Sequence, residues 1–222
     1  MTRLKGSRNK RYEEERERLA AALFEALIQT EDLSLSFRQM ADACEVSPST
    51  LRHYFTNRKG ALKAAIQHAG KQGEPYLEMV EEGEFGPPQE SLLSLLRYLH
   101  FGWSHSKLGD LHRLGLEAGL GDQEMGPAYL RNLLEPSLKA FEKRISLHIE
   151  RGELRPCNAR YAALSLVSPL FLLMLHQEQL FGACDFPVEI DAFIQHHTKA
   201  FVNAHLFSTV PLDSVSASTI PS

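Results

Sequence analysis

Cysteine is scarce in this chain of 222 residues: there are three, Cys44, Cys157 and Cys184, and no two are spaced as C-x-x-C. An odd and dispersed set builds neither a disulfide framework nor a zinc site, and the expected setting is a reducing cytoplasm. Long alternation of apolar and polar residues is absent too, which argues against half-buried strands. No apolar run reaches the roughly 20 residues of a bilayer span. The nearest approach, Tyr161 to Leu175, carries Ser165, Ser168 and Pro169 and reads as a buried helix. The amino end is basic but leads into the acidic stretch Glu13 to Glu17, so no signal peptide is expected there.

Signatures of catalysis are missing as well. There is no G-x-S-x-G, no phosphate-cradling glycine loop and no pair of carboxylates at convincing spacing. Gly119-Leu120-Gly121 lacks the preceding strand that a dinucleotide fingerprint needs. Ten histidines invite a metal reading. Yet the neighbours His196 and His197 would point about 100° apart on a helix, and His100, His105 and His112 do not repeat at i, i+4. Neither an enzyme, a cofactor nor a structural metal is expected.

What the chain does have is helical spacing and a split of charge. The net charge is −4, but residues 1–70 hold twelve Lys and Arg against nine Asp and Glu, while the remainder holds twelve against nineteen. A basic head on an acidic body fits this better than one uniform domain. Apolar periodicity predicts helices over about 13–30, 37–43, 48–54, 58–80, 90–107, 109–120, 124–151, 157–181 and 186–207, punctuated by Gly86-Pro87-Pro88, by Gly152 with Pro156, and by Asp185-Phe186-Pro187. The tail from Ser208 to Ser222, rich in serine, threonine and proline, reads as disordered. The resulting division is 1–70, 71–207 and 208–222.

Residues 36–62 are the most informative stretch. Ser36 and Gln39 have capping-box spacing, with Phe37, Met40, Ala41 and Cys44 on one face of the helix that follows. Ser47-Pro48 is a second start: serine can cap, and proline at the first helical position has no N–H to lose. Only Cys44, Glu45 and Val46 remain for the turn, the layout of a helix-turn-helix. Val46, Leu51 and Phe55 then face inward. Ser47, Ser49, Thr50, Arg52, His53 and Tyr54, with Arg58 and Lys59 opening the next helix, form the candidate DNA-binding set. Arg52 suits a guanine edge, Ser49, Thr50 and His53 suit bases or phosphates, and Tyr54, Arg58 and Lys59 suit phosphates. The competing reading is the polar face of an ordinary helical hairpin. Arg3, Lys5, Arg8, Lys10 and Arg11 form a basic arm, either a phosphate or minor-groove contact or a solvated terminus.

These residues resemble the DNA-binding domain of the TetR (tetracycline-repressor) family. The family's run of Ile-Ala, Ala-Gly-Val-Ser, Thr-Leu-Tyr, Tyr-Phe and a Lys-rich helix start is matched by Met40-Ala41, Cys44-Glu45-Val46-Ser47, Thr50-Leu51-Arg52, Tyr54-Phe55 and Arg58. Leu19, Ala22 and Phe24 fall at its apolar positions in the preceding helix. The likeness is specific over residues 15–70 and architectural beyond. Glu45 stands in place of the turn glycine, where positive φ is often required. Arg52 replaces a tyrosine on the face that in the family meets DNA, which implies a different operator sequence. Cys44 stands where the family prefers alanine and reads as a small buried residue.

The resemblance implies an all-α fold of about nine helices: an N-terminal three-helix head and a larger helical domain for effector binding and dimerisation. It implies a transcriptional regulator, repressor rather than activator, that binds a palindromic operator on double-stranded DNA as a homodimer and is relieved by a small molecule of unknown identity. His100, Trp103, His105, Met125, Phe171, Met174 and His176 are candidates to line the effector cavity. The last two helices are candidates for the dimer interface, through the stripe Ile190, Phe193, Ile194, His197, Phe201 and Ala204; the alternative is that both are intramolecular core. A helical protein-interaction or small-molecule-binding protein without DNA binding is the rival function, favoured by Glu45 and the overall acidity.

Overall fold

The computed structural model describes residues 5–30, 35–83 and 86–206, with side chains described from Lys10 onward and Glu82 excepted. Expectations for Arg3 and for the tail from Ser208 to Ser222 concern residues outside these. All regular structure among the described residues is helical: α1 (Lys5–Thr30), α2 (Phe37–Ala43), α3 (Pro48–Phe55), α4 (Arg58–Glu82), α5 (Pro88–His105), α6 (Leu108–Gly119), α7 (Met125–Tyr129), α8 (Glu135–Glu150), α9 (Ala159–Met174) and α10 (Ile190–His205). A π-helical segment, Leu130–Leu134, joins α7 to α8, and another, Leu175–Gln179, extends α9. Nine continuous rods result among the described residues. The first π segment has a local cause: Pro136 has no N–H to close an α turn, and Glu135 N–H bonds five residues back to Leu130 instead.

Helix α1 begins eight residues before the predicted start. Arg, Lys and Glu are good helix formers, and Lys10 lies 3.9 Å from Glu14 one turn on, so the basic stretch continues the helix. Leu19, Leu23 and Leu27 recur at i, i+4 spacing and are buried in the head core with Met40, Ala41, Leu51, Phe55 and Ala61. That core includes residues of the body: Leu114, Met125, Tyr129 and Leu133 join it. A division at residue 70 therefore falls inside α4, which serves both parts. A second core gathers α5, α8, α9 and α10 around Leu92, Leu96, Ile145, Leu166 and Ile194.

The last two helices are covered unequally by the rest of the chain. Most of the α10 stripe faces inward: Ile194 and Phe201 are buried and His197 Nε2 lies 2.9 Å from the Leu166 carbonyl, while Ala204 at its end is exposed. Helices α5 and α9 cover that face of α10, with Arg97 clasping Asp191 at 2.7 Å. Helix α9 is buried on one side only. Ala163, Leu166 and Leu170 pack inward, while Tyr161, Leu164 and Leu172 stand in solvent.

The turn between α2 and α3 meets its geometric requirement with an unusual residue. Val46 N–H bonds Ala41 C=O and Glu45 N–H bonds Asp42 C=O, both at 3.0 Å, the two bonds of a Schellman turn. That turn needs a left-handed residue after the helix, and Glu45 supplies it at φ 56°. An L side chain there costs about 1 kcal/mol. Glu45→Gly is expected to raise the free energy of urea unfolding by about 0.5–1 kcal/mol, the relief being partly offset by glycine's greater freedom in the unfolded chain. An unchanged or lowered midpoint would show that the left-handed turn carries no strain.

Candidate nucleic-acid interface

Helix α3 is fixed at its start by one serine. Ser47 Oγ accepts the Thr50 N–H at 3.1 Å and lies 2.7 Å from Ser49 Oγ and 2.9 Å from Thr50 Oγ1. Such a cap is worth about 1 kcal/mol. Leu51 is fully buried and Phe55 nearly so, which orients the helix and leaves Ser49, Thr50, Arg52 and His53 exposed along the opposite side. Arg52 lies over the Phe37 ring at 5.6 Å, a cation–π contact that aligns the stem of the guanidinium without covering it. Thus Ser49, Thr50, Arg52 and His53 form one continuous polar face, while Ser47 is engaged in capping.

Tyr54 is half-buried because Tyr12 stacks on it, with ring centroids 4.8 Å apart. Tyr12 also meets His53 edge-on at 5.6 Å. The amino end of α1, with Lys10 and Arg11, is thereby set beside α3. Nothing in the local sequence marks Tyr12 for this role, because the contact joins residues some forty positions apart.

At its far end α3 stops in a second left-handed residue, Thr56 at φ 66°, where Asn57 N–H reaches back to Phe55 C=O at 2.6 Å in a γ-turn. A Cβ at Gly60 would run into the Phe55 carbonyl oxygen, so glycine is what lets α4 start this close. Arg58 and Lys59, expected to face a duplex, are held against the protein. Arg58 Nε donates to Leu35 C=O at 2.8 Å, and Lys59 Nζ lies 2.7 Å from Asp122 Oδ2 on the loop between α6 and α7. Lys63 pairs with Glu124 at 2.8 Å on the same loop. The Lys59 ammonium, then the N–H groups of Met125 and Glu124, hold the Asp122 carboxyl well below the usual range.

In the body the seven candidate effector residues do not converge. Trp103, Phe171 and Met174 share the second core, Met125 belongs to the first, and His105 is exposed and stacked on Phe101. His100 lies 3.8 Å from Glu178, and His176 packs against Gly182 and Phe186. Around Trp103 the structure assembles a cluster that joins two of these candidates, Trp103 and Phe171, to His112 and Tyr129, which sequence reasoning missed. The His112 ring stacks on Trp103 at 5.2 Å, Phe171 meets both edge-on, and His112 Nδ1 lies 2.8 Å from Tyr129 Oη. Trp103 Nε1, buried, has no hydrogen-bond partner. One further array resembles a catalytic relay: Ser91 Oγ is 2.9 Å from His148 Nε2, whose Nδ1 is 2.5 Å from Glu153 Oε2. Ser91 and His148 are fully buried, so no substrate reaches the hydroxyl, and the three residues tie α5 to the end of α8.

No protein-family model and no curated protein matches this chain. Solved structures do. A TetR transcription regulator from Haloarcula marismortui superposes over 88% of this chain and 100% of its own, with a TM-score of 0.66 at 17% identity. FadR from Thermus thermophilus, a TetR-family transcriptional repressor in complex with lauroyl-CoA, covers 88% and 97%, with a TM-score of 0.63 at 20% identity. SmeT, the repressor of the Stenotrophomonas maltophilia multidrug efflux pump SmeDEF, covers 93% and 97%, with a TM-score of 0.58 at 15% identity. At such identities the likeness is one of fold: the chain has the TetR-like architecture, head and body together.

Burial gives the cluster around Trp103 a pH signature. Loss of solvent pushes the His112 imidazole down to about 4, so it is neutral when folded. Below about 6.5 the unfolded chain takes up a proton that the folded chain refuses. Stability is therefore full above that pH and is lost as pH falls toward 4, by about 3 kcal/mol from this residue. Urea unfolding followed across this range is expected to show the loss, and His112→Phe to flatten it. A variant that loses stability as steeply as the parent would place the titrating group elsewhere.

Proposed function

We propose that the protein is a ligand-responsive transcriptional regulator, a homodimer that represses by occupying a palindromic operator. The observation that carries this is the α3 surface: a capped helix anchored by Leu51 and Phe55, with Ser49, Thr50, Arg52 and His53 bare on its outer side. Those side chains suit base edges in a major groove, and the basic amino end of α1, held beside them by Tyr12, suits phosphates. SmeT and Thermus FadR, both of this fold, are named as repressors, and the FadR structure holds lauroyl-CoA. The effector reading rests on the body cluster, which is buried in this structure: on opening of the core, its aromatic wall and the unpartnered Trp103 N–H would recognise a flat or apolar molecule bearing an acceptor. Such work on DNA belongs in the cytoplasm.

The dimer reading rests on α9 and the segment after it. Tyr161, Leu172, Leu180, Phe181 and Phe186 are each more than 60% exposed and belong to one stretch of chain, a larger apolar display than isolated surface residues make. Pairing these surfaces about a twofold axis would present two copies of α3 to successive major grooves.

Two measurements test this. In a gel shift with a palindromic duplex from the protein's own promoter region, Arg52→Ala is expected to lower the preference for operator over random duplex about tenfold or more, with unchanged thermal stability. Retained discrimination would remove α3 from the reading role. Leu172→Asp, placing a charge in the apolar face, is expected to shift sedimentation from dimer to monomer and to weaken operator binding with it. A dimer that tolerates this substitution would move the interface elsewhere.

A further inference from the structure

Lys59 is poised between two anions. It is the second residue of α4, directly after the turn that closes α3, and its ammonium lies 2.7 Å from Asp122 Oδ2. Asp122 is not a mobile surface carboxylate. Its Oδ1 accepts the N–H groups of Glu124 and Met125, each at 2.9 Å, which fixes it at the start of α7. One turn further along α4, Lys63 binds Glu124 and keeps the loop in register. The Lys59–Asp122 pair borders an open groove of about 330 Å³ between head and body, with Arg58, Leu62 and Glu117 beside it, so solvent and solute anions reach it.

A carboxylate fixed by two N–H donors at a lysine at the foot of a reading helix offers what a DNA phosphate would offer: a stationary negative charge at hydrogen-bond distance. Both cannot hold Lys59 at full strength. We infer that Asp122 stands in for a backbone phosphate in the free protein, so that the loop between α6 and α7 attenuates DNA affinity by withholding Lys59. This rests on the DNA-binding reading and adds a regulation to it. A body movement that draws Asp122 away from α4 releases a cation to DNA, and one that presses it inward removes that cation. The attenuation is indifferent to base sequence, because Lys59 would meet phosphate alone.

Asp122→Asn isolates the effect, since the amide oxygen still accepts the Glu124 and Met125 N–H groups while the charge that holds Lys59 is gone. With the full-length protein and duplexes of operator and random sequence, Asp122→Asn is expected to raise affinity three- to tenfold on both. The plot of log affinity against log salt should steepen by about one unit, the contribution of one added phosphate contact. In a Lys59→Met background the same change should have little effect, because the coupling runs through that ammonium. Equal gains in both backgrounds would reduce Asp122 to a diffuse negative charge and overturn the inference. So would an Asp122→Asn protein of parental thermal stability that binds no more tightly. A parent protein that binds no duplex at low salt would overturn the DNA-binding reading and this inference together, whereas parental binding with no response to Asp122→Asn overturns this inference alone.

Discussion

Four residues, Cys44 to Ser47, separate α2 from α3, and a chain can reverse so tightly only by placing one of them in the left-handed region. Glu45 accepts that conformation at φ 56°, and the rest of the head depends on it. Helix α3 is eight residues long, far below the length at which an isolated helix persists in water. Its order comes from its boundaries and anchors: the Schellman bonds before it, the Ser47 cap, Leu51 and Phe55 beneath it, and the Thr56 turn after it. Strain of about 1 kcal/mol at each left-handed residue is small beside the burial of a leucine, worth about 1.5–3 kcal/mol. Losing either turn would tilt the helix off its anchors, and the polar face would no longer be presented as one surface.

That rigidity is passed on through α4. Gly60 seats its start against the Phe55 carbonyl, and Gly70 lets it touch the Asn132 carbonyl, which Pro136 leaves without its usual helical donor. At its other end Arg144 on α8, buried, donates to the Val80 carbonyl at 2.5 Å and also reaches that of Glu81. A rod of 25 residues, about 37 Å at 1.5 Å per residue, is thus gripped by the head at one end and by the body core at the other. Its amino-terminal half, before Gly73 and Pro75, is the part that touches α7 and the loop before it, so a displacement there lies within a few turns of α3.

Much of this was legible in the residues. The capping box at Ser36 is present in both directions, with Gln39 Oε1 2.8 Å from the Ser36 N–H and Ser36 Oγ 3.2 Å from the Gln39 N–H. Such motifs are local, so sequence carries them. Positive φ at Glu45 was legible only by resemblance, since glutamate itself gives no sign of it. Tyr12 on Tyr54, Lys59 on Asp122 and His112 on Tyr129 were not legible, because each joins elements whose relative placement is set by packing. The α10 stripe illustrates the same limit: periodicity identifies an apolar face but does not say whether the chain's own helices or another copy cover it. Here α5 and α9 cover α10, which leaves the outer side of α9 bare.

The distribution of charge gives the final constraint. For a protein that binds DNA, a net charge of −4 makes the sequence-independent attraction weak, and the acidic body is repelled as the basic head is drawn in. The resulting torque turns the head toward the duplex before contact, which favours encounter in the productive orientation. It also leaves few phosphate contacts to hold the protein on random sequence. With Lys59 paired internally and Arg58 bonded to Leu35, the head in its free state offers Arg52 and the basic amino end of α1 as cations near α3. Affinity must then come largely from short-range fit between the α3 face and its bases, so discrimination and binding strength rise or fall together.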